Sequence, residues 1–491
     1  MKRWIAVAAT AWTAGIAGAA DLVPFAPPWD DGAPGPTDLR PLLGQGAGSI
    51  APVRVRDGHL FAGDRRLRLF GANLTSAACF PDHATADGVA ARMARFGLNG
   101  VRFHFLDAVW GEPRMIDYKS GCWTNWSADA QDRLDHFMAR LKEQGIYWNV
   151  NLLVGRRFGT GDGVDPAVNK LDWKAAHAVG FFHAPHLEAQ KAYARRLLGH
   201  VNPYTKLAVA RDPALAMVEI NNENGLIHTW MSRDFDDLPE PFAGDLQRQW
   251  NAWLAKRHAD TKALAAAWGA RNEPPGAEML RNAGFADGVK EWSLEQHRGA
   301  QAGFTVKDGA AVLHIQNAAD GGWAVQVNQT RLAVRKGALY TARFRAAADS
   351  PRRILANVMQ AHDPWRELGW QARFEVGPEW KTFEFTFVPD ADDDNARFGF
   401  AELAQAGATF KFADLSLKPG GRMGLGDDET IEARSVRWPK AGASRPMAPG
   451  ERADWIRFLW ETERAHWDAM RRCVVDEIGV KAPVVGTIVA T

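Results

Sequence analysis

Three cysteines in 491 residues are too few for a disulfide framework. One bridge between Cys79 and Cys122 and three unpaired thiols, Cys473 included, both fit the count. Charge of a single sign is also lacking. The 59 basic residues stand against 58 acidic ones, so no overall field draws the chain to nucleic acid or anionic membranes. Beyond the N-terminus no stretch approaches the ~18 apolar residues of a membrane span. No glycine-rich loop follows the first apolar strand, which weighs against a dinucleotide-binding sheet. No P-loop, nucleophile elbow or zinc-protease signature occurs. His183-Ala184-Pro185-His186 has metal-like spacing, but Pro185 reads as a helix start and no third ligand is evident, so no metal site is expected.

Tryptophan is what the chain has in excess, with 21 copies. Core filling accounts for part of this. The flat C–H faces of sugar rings stack on exposed indoles, so the remainder fits a glycan binder. At the N-terminus Lys2 and Arg3 precede the apolar run Trp4 to Ile16, and Ala17-Gly18-Ala19 supplies small residues for cleavage. Residues 1–20 thus read as a secretory signal peptide, and the mature protein as secreted or periplasmic.

The length suggests two to four domains. Residues 21–52 are rich in Pro, Gly and Asp and read as an irregular lead-in. Residues 53–276 alternate strands with helices. Strands are expected at Leu67 to Asn73, Asn99 to Phe105, Ile146 to Val154 and Ala214 to Glu223, and helices at 85–96, from Ser127 to Gly145, at 187–198 and at 246–268. Such alternation argues a parallel sheet covered by helices, in a barrel or an open doubly wound form. Residues 277–420 change grammar: short alternating runs such as Tyr340 to Phe344 and Thr382 to Phe387, punctuated by Gly, Asp and Pro, read as an inserted all-β sandwich. Residues 421–491 return to a helix and then a strand from Val484 to Ala490. Five strands do not close an eight-stranded barrel. Ending at Thr491 inside a strand, the sequence reads as a fragment of a longer chain rather than as an open sheet.

Glu223 is the leading candidate for chemistry. It follows a buried apolar strand at the carboxyl end, where barrel enzymes place catalytic groups, and amides surround it in Asn221-Asn222-Glu223-Asn224. A glycosidase needs a partly buried, protonated carboxyl to donate to the leaving oxygen. The alternative is a loop-capping Glu among turn-forming residues. Glu219, four residues upstream, lies roughly 13 Å away at the usual strand rise, too far to act as its partner.

Val218-Glu219-Ile220-Asn221-Asn222-Glu223-Asn224 resembles the fourth-strand motif of clan A glycoside hydrolases. Phe70-Gly71-Ala72-Asn73 resembles their first strand, and Asn99-Gly100-Val101-Arg102-Phe103-His104, continuing to Asp107, their second. Gln249 to Leu254, with Trp268 after it, is similar to the segment behind the acid/base strand of beta-galactosidase-like members; family 5 cellulase-like enzymes are the nearest named group. The resemblance covers residues 50–270 and 450–491. It implies an incomplete (β/α)8 TIM barrel, with about five of eight strands present, carrying an inserted jelly roll, and a retaining hydrolase of β-linked glycans. Glu223 would be the acid/base, Asn222 would bond the sugar hydroxyl beside the reacting carbon, and Arg102 would hold the nucleophilic carboxylate. Asn73, His104 and Asn151 would line the pocket floor. The nucleophile itself is expected beyond residue 491. The inserted segment resembles carbohydrate-binding modules of families 4 and 9, through Asn282-Ala283-Gly284-Phe285, Trp292 and Phe412 to Leu417. That resemblance makes Trp323, Trp365 and Trp370 stacking candidates. No cofactor is required; modules of this kind often hold a structural calcium, although no dense Asp cluster localises one, and Asp392-Asp393-Asp394 reads as a solvated turn. A non-catalytic glycan-binding protein is the competing reading.

Overall fold

The alternating region folds into one parallel sheet. A computed structural model describes residues 34–44, 49–120 and 122–487; the leader read at 1–20 and strand residues 488–490 lie outside them. Gly71–Thr75, Gly100–His104, Tyr147–Asn151, Leu215–Glu219 and Val484–Val485 stand side by side in chain order, all parallel. Val101, Phe103, Trp148, Val150, Leu215 and Val218 share one face of this sheet. They pack against helices His83–Arg95, Ala128–Glu143, Ala184–Gly199 and Pro449–Arg471. A doubly wound sheet reverses its strand order at a switch point; this one does not. It remains open among the described residues, with Gly71–Thr75 and Val484–Val485 at its edges.

The helix starts follow their caps. Asp82 accepts from the Thr85 amide and Ser127 from the Ala130 amide. The single helix expected over 246–268 is two, Phe242–Ala255 and Thr261–Trp268, because Asp260 caps a new start through the Ala263 amide at 2.7 Å. An antiparallel meander, Val53–Arg56, His59–Ala62 and Arg65–Arg66, packs Val53 and Ala62 with Leu67 against Tyr147 and Ala216 of the sheet. Sequence reading missed it because its strands are short and mostly exposed.

Core filling explains many of the tryptophans. Trp250 stacks on Trp253 at 5.5 Å and on Trp268 at 6.2 Å, and meets Trp455 edge-on at 5.2 Å. Trp253 and Trp268 donate their indole N–H groups to Glu461 and Asp454, tying the helix Pro449–Arg471 to the pair before it. No disulfide bridge joins Cys79 to Cys122, and Cys473 is a buried thiol.

The inserted region is a sandwich of two five-stranded antiparallel sheets. One orders Gln301–Lys307, Ala310–Asn317, Thr409–Pro419, Tyr340–Ala348 and Lys381–Phe387; the other orders Glu367–Val376, Arg352–Gln360, Asp393–Ala401, Val325–Val334 and Ser293–Gln296. The chain enters and leaves it through a two-stranded ribbon, Arg271–Glu273 against Gly421–Met423. Gly420 and Gly421 allow this crossing: their φ values are 96° and 136°, and a Cβ on either would collide with Pro274 or Thr341. Among the described residues no helix is long and apolar enough to cross a membrane.

Two buried imidazoles carry a pH consequence. Burial pushes both His177 and His466 down to about 3, so each ring is neutral in the folded protein. The unfolded chain protonates first as pH falls below about 6.5, so their stability contribution is complete above that value and is lost progressively toward pH 3. The slope is at most ~1.4 kcal/mol per pH unit for each ring. Urea midpoints at pH 7 and pH 5 should differ accordingly, and His466→Phe should reduce the difference; an unaltered slope in that variant would contradict the assignment.

Candidate functional site

Two places bring the sequence candidates together. The first is the face of the parallel sheet opposite the helices. Strands buried on both faces are normally continuous apolar runs, yet Asn73, Arg102 and Asn149 align here across three neighbouring strands. Arg102 donates Nε to Glu219 Oε1 at 2.8 Å and Nη2 to Glu219 Oε2 at 2.5 Å, a planar fork on a carboxylate. Asn149 Nδ2 adds a third donor to Oε1 at 2.5 Å, and Arg102 Nη2 also reaches Asn222 Oδ1 at 3.1 Å. Among the described residues the carboxylate that Arg102 holds is that of Glu219. His104 Nδ1 pairs with Asn151 Oδ1 at 2.5 Å, both side chains buried, and burial pushes the His104 ring down. Asn73 lies by a hollow of about 240 Å³ that Arg102 and Asn149 also line.

Glu223 stands apart from this network. The strand ends at Glu219, and Glu223 sits in the loop beyond with φ 50°, a left-handed backbone uncommon outside glycine. Its side chain is 51 % exposed, not the partly buried acid expected, because the loop turns it outward toward Lys174 Nζ at 3.8 Å. Lys174 also donates to the Glu223 carbonyl at 3.2 Å and lies over the Trp173 ring at 4.7 Å. Behind this rim Asp107 accepts from the amides of Val154, Gly155 and Arg156 at 2.9 to 3.2 Å. Those bonds fix the loop after the third strand, while full burial pushes the Asp107 carboxyl up. His183 pairs with Asp245 at 2.5 Å.

The second place is the outer face of the sandwich sheet that runs from Glu367–Val376 to Ser293–Gln296. Strand alternation sends Ile354, Ala356, Val358, Ala396, Phe398 and Phe400 into the core. It sends Leu355, Asn357, Met359, Arg397 and Ala401 outward, into a cleft of about 700 Å³ completed by Glu295, His297, Trp323, Gln326, Trp365 and Glu402. Trp323 is 46 % exposed and Trp365 51 %. Each indole has a guanidinium over one face, Arg298 at 4.8 Å from Trp323 and Arg397 at 5.2 Å from Trp365. Trp370, the third stacking candidate, is a correction. It points the other way, 8 % exposed, and stacks on Phe387 at 5.3 Å within the core.

The cleft floor is a polar network. Arg397 donates to Glu295 Oε1 at 2.9 Å and to Gln326 Oε1 at 3.2 Å, and Asn328 donates to Glu295 Oε1 at 2.8 Å. Burial pushes the Glu295 carboxyl up, but hydrogen bonds from Asn328, His297 and Arg397 and the Arg397 charge outweigh it, so the group is held below its ordinary range. Sequence reading missed Glu295, His297, Gln326 and Arg397. The available signal was alternation: Gln326 and Asn328 interleave with Val325 and Val327, and Arg397 precedes the core residue Phe398. Asp393, read as part of a solvated turn, is buried and accepts from His362 Nε2 at 3.1 Å and from the Asn395 amide at 2.7 Å.

Residues 277–404 match the family model of a carbohydrate-binding domain. Among solved structures the chain is similar to one described as "CBM4 structure and function", 29 % identical over 28 % of this chain and 99 % of that one, with a TM-score of 0.27. It is also similar to the N-terminal cellulose-binding domain of beta-1,4-glucanase C from Cellulomonas fimi, 21 % identical over 30 % of this chain and 99 % of that one, TM-score 0.25. The endo-1,4-beta-mannanase from Rhizomucor miehei is 18 % identical over 36 % of this chain and 49 % of its own, TM-score 0.29. No curated protein matches the chain. The segment that matches the carbohydrate-binding model spans the residues that build the cleft.

Two substitutions separate structure from recognition. Arg102→Met leaves the Glu219 carboxylate buried beside one amide, which should cost about 3–5 kcal/mol. Denaturant melts should register that loss, and the double variant Arg102→Met with Glu219→Leu should recover much of it. A single variant as stable as the parent would show that the pair contributes nothing.

Proposed function

We propose that this chain is a carbohydrate-active protein whose sandwich cleft holds a β-linked glycan against Trp323 and Trp365. The observation that carries the reading is the pair of half-exposed indoles over an ordered polar floor, inside the segment that matches the carbohydrate-binding family. A pyranose presents an apolar C–H face to an indole and polar hydroxyls at its rim. Each guanidinium occupies one indole face and leaves the other to the sugar. Glu295, Gln326, Asn357 and Arg397 supply acceptors and donors between the two platforms. An open cleft suits the interior of a chain. A secreted or periplasmic location accords with this ligand and with the leader expected at residues 1–20.

Affinity electrophoresis against soluble β-glucan, galactomannan and xylan tests the reading. Trp323→Ala and Trp365→Ala should each weaken retention about tenfold to thirtyfold, as removal of a central aromatic anchor does. Their melting temperatures should stay near the parent's, whereas Trp370→Ala should lose about 3–5 kcal/mol of stability. Parent-like retention in both cleft variants would rule the cleft out.

A second reading adds catalysis. It is favoured by the left-handed backbone that holds Glu223 past the strand end, directly after Asn222 in the chain. Glu223 would protonate the departing sugar and Asn222 would bond a hydroxyl of the glycan. A retaining mechanism adds a second carboxylate about 5 Å away, a role we assign to a residue outside those described. In the natural protein Glu223→Gln should lower turnover at least ~100-fold while leaving retention on the glycan unaltered. Unchanged turnover would leave the binding function alone.

A further inference from the structure

The two oxygens of Glu295 have different surroundings. Oε1 is filled by Asn328 Nδ2 at 2.8 Å and Arg397 Nη1 at 2.9 Å, ordinary lengths for donors to a carboxylate. Oε2 has only long contacts, His297 Nε2 at 3.4 Å and Gln326 Nε2 at 3.5 Å. These exceed the usual 2.7–3.2 Å range of N–H···O bonds. The Glu295 side chain is 29 % exposed and lines the cleft together with His297. His297 in turn lies 5.1 Å from the ring of Trp323. Oε2 is therefore a charged acceptor with spare capacity, placed beside an aromatic platform.

A sugar stacked on Trp323 presents its ring face to the indole and directs its equatorial hydroxyls sideways, in the plane of the ring. An ionised carboxylate is acceptor-only. It draws in a group that brings a hydrogen and gains nothing from an ether or ester oxygen. Desolvating Oε2 against an O-methyl or O-acetyl group leaves that oxygen without a close donor, which is the costly outcome. We propose that Glu295 Oε2 is the hydroxyl-reading atom of the cleft, selecting a neutral glycan with free equatorial hydroxyls over its O-substituted form. Arg397 and Asn328 hold the carboxylate in place by occupying the other oxygen. This rests on the cleft being the glycan site.

The test is isothermal titration of the full chain with cellohexaose, mannohexaose and xylohexaose, then with the O-methylated form of whichever binds. The unsubstituted chain should bind the parent more tightly. Glu295→Gln keeps the shape and an acceptor oxygen but removes the charge; it should weaken binding of the unsubstituted chain about tenfold to a hundredfold, the loss of one charge-assisted hydrogen bond. Binding of the O-methylated chain should be nearly unaltered by the same substitution. Equal losses on both ligands would mean that Glu295 acts only by supporting the cleft, and no loss on the unsubstituted chain would mean that Oε2 reads nothing; either overturns the proposal. Should the variant fail to fold, the parent decides alone, because equal affinity for free and O-methylated chains contradicts the inference. If none of the three hexasaccharides binds the parent while Trp323→Ala also leaves polysaccharide retention unchanged, it is the cleft reading that falls.

Discussion

Alternation along a β-strand is the constraint on which the sandwich cleft depends. In Val325–Val334, Arg352–Gln360 and Asp393–Ala401 every second residue must fill the sandwich interior, and phenylalanines, valines and alanines do so. The residues between them then have no choice of side. Gln326, Asn357 and Arg397 are carried to one concave surface because Val327, Val358 and Phe398 are held inside. The same rule puts Trp370 in the core and leaves the turn residues Trp323 and Trp365 at the surface. Core packing and ligand recognition are thus two faces of one pattern.

The parallel sheet follows a similar logic with a different outcome. Its helix-facing residues are apolar and anchor four helices, while its opposite face carries Asn73, Arg102, Asn149 and Glu219. A carboxylate there is tolerable only with its donors in place, which Arg102 and Asn149 provide. The fork extends to Asn222, so it steadies the start of the loop that carries Glu223, which Lys174 meets from the helix Trp173–Ala178. Glu223 itself is displayed rather than buried.

Much of the architecture was legible in the sequence because periodicity and caps are local. Four parallel strands, the helix start at Ser127, and the switch from helical to alternating grammar all have short-range signatures; the helix expected from residue 85 begins two residues earlier, behind its cap Asp82. The meander at Val53–Arg66 did not, since its strands bury few residues. Site geometry was less accessible. Arg102 and Glu219 are separated by 117 residues, and their pairing exists only once the strands are in register. Trp323 precedes a strand and Trp370 lies within one, and which of them faces the cleft depends on which sheet face closes the core. The four floor residues Glu295, His297, Gln326 and Arg397 come from different strands and turns, so no local motif announces them.

The most direct test of the account is a crystal structure of the full chain soaked with the hexasaccharide that it binds most tightly. The account requires a continuous sugar chain along the sandwich cleft, with rings stacked on the open faces of Trp323 and Trp365 and a hydroxyl within hydrogen-bonding distance of Glu295. Sugar density confined to another surface, with the cleft left to solvent at saturating ligand, would contradict it.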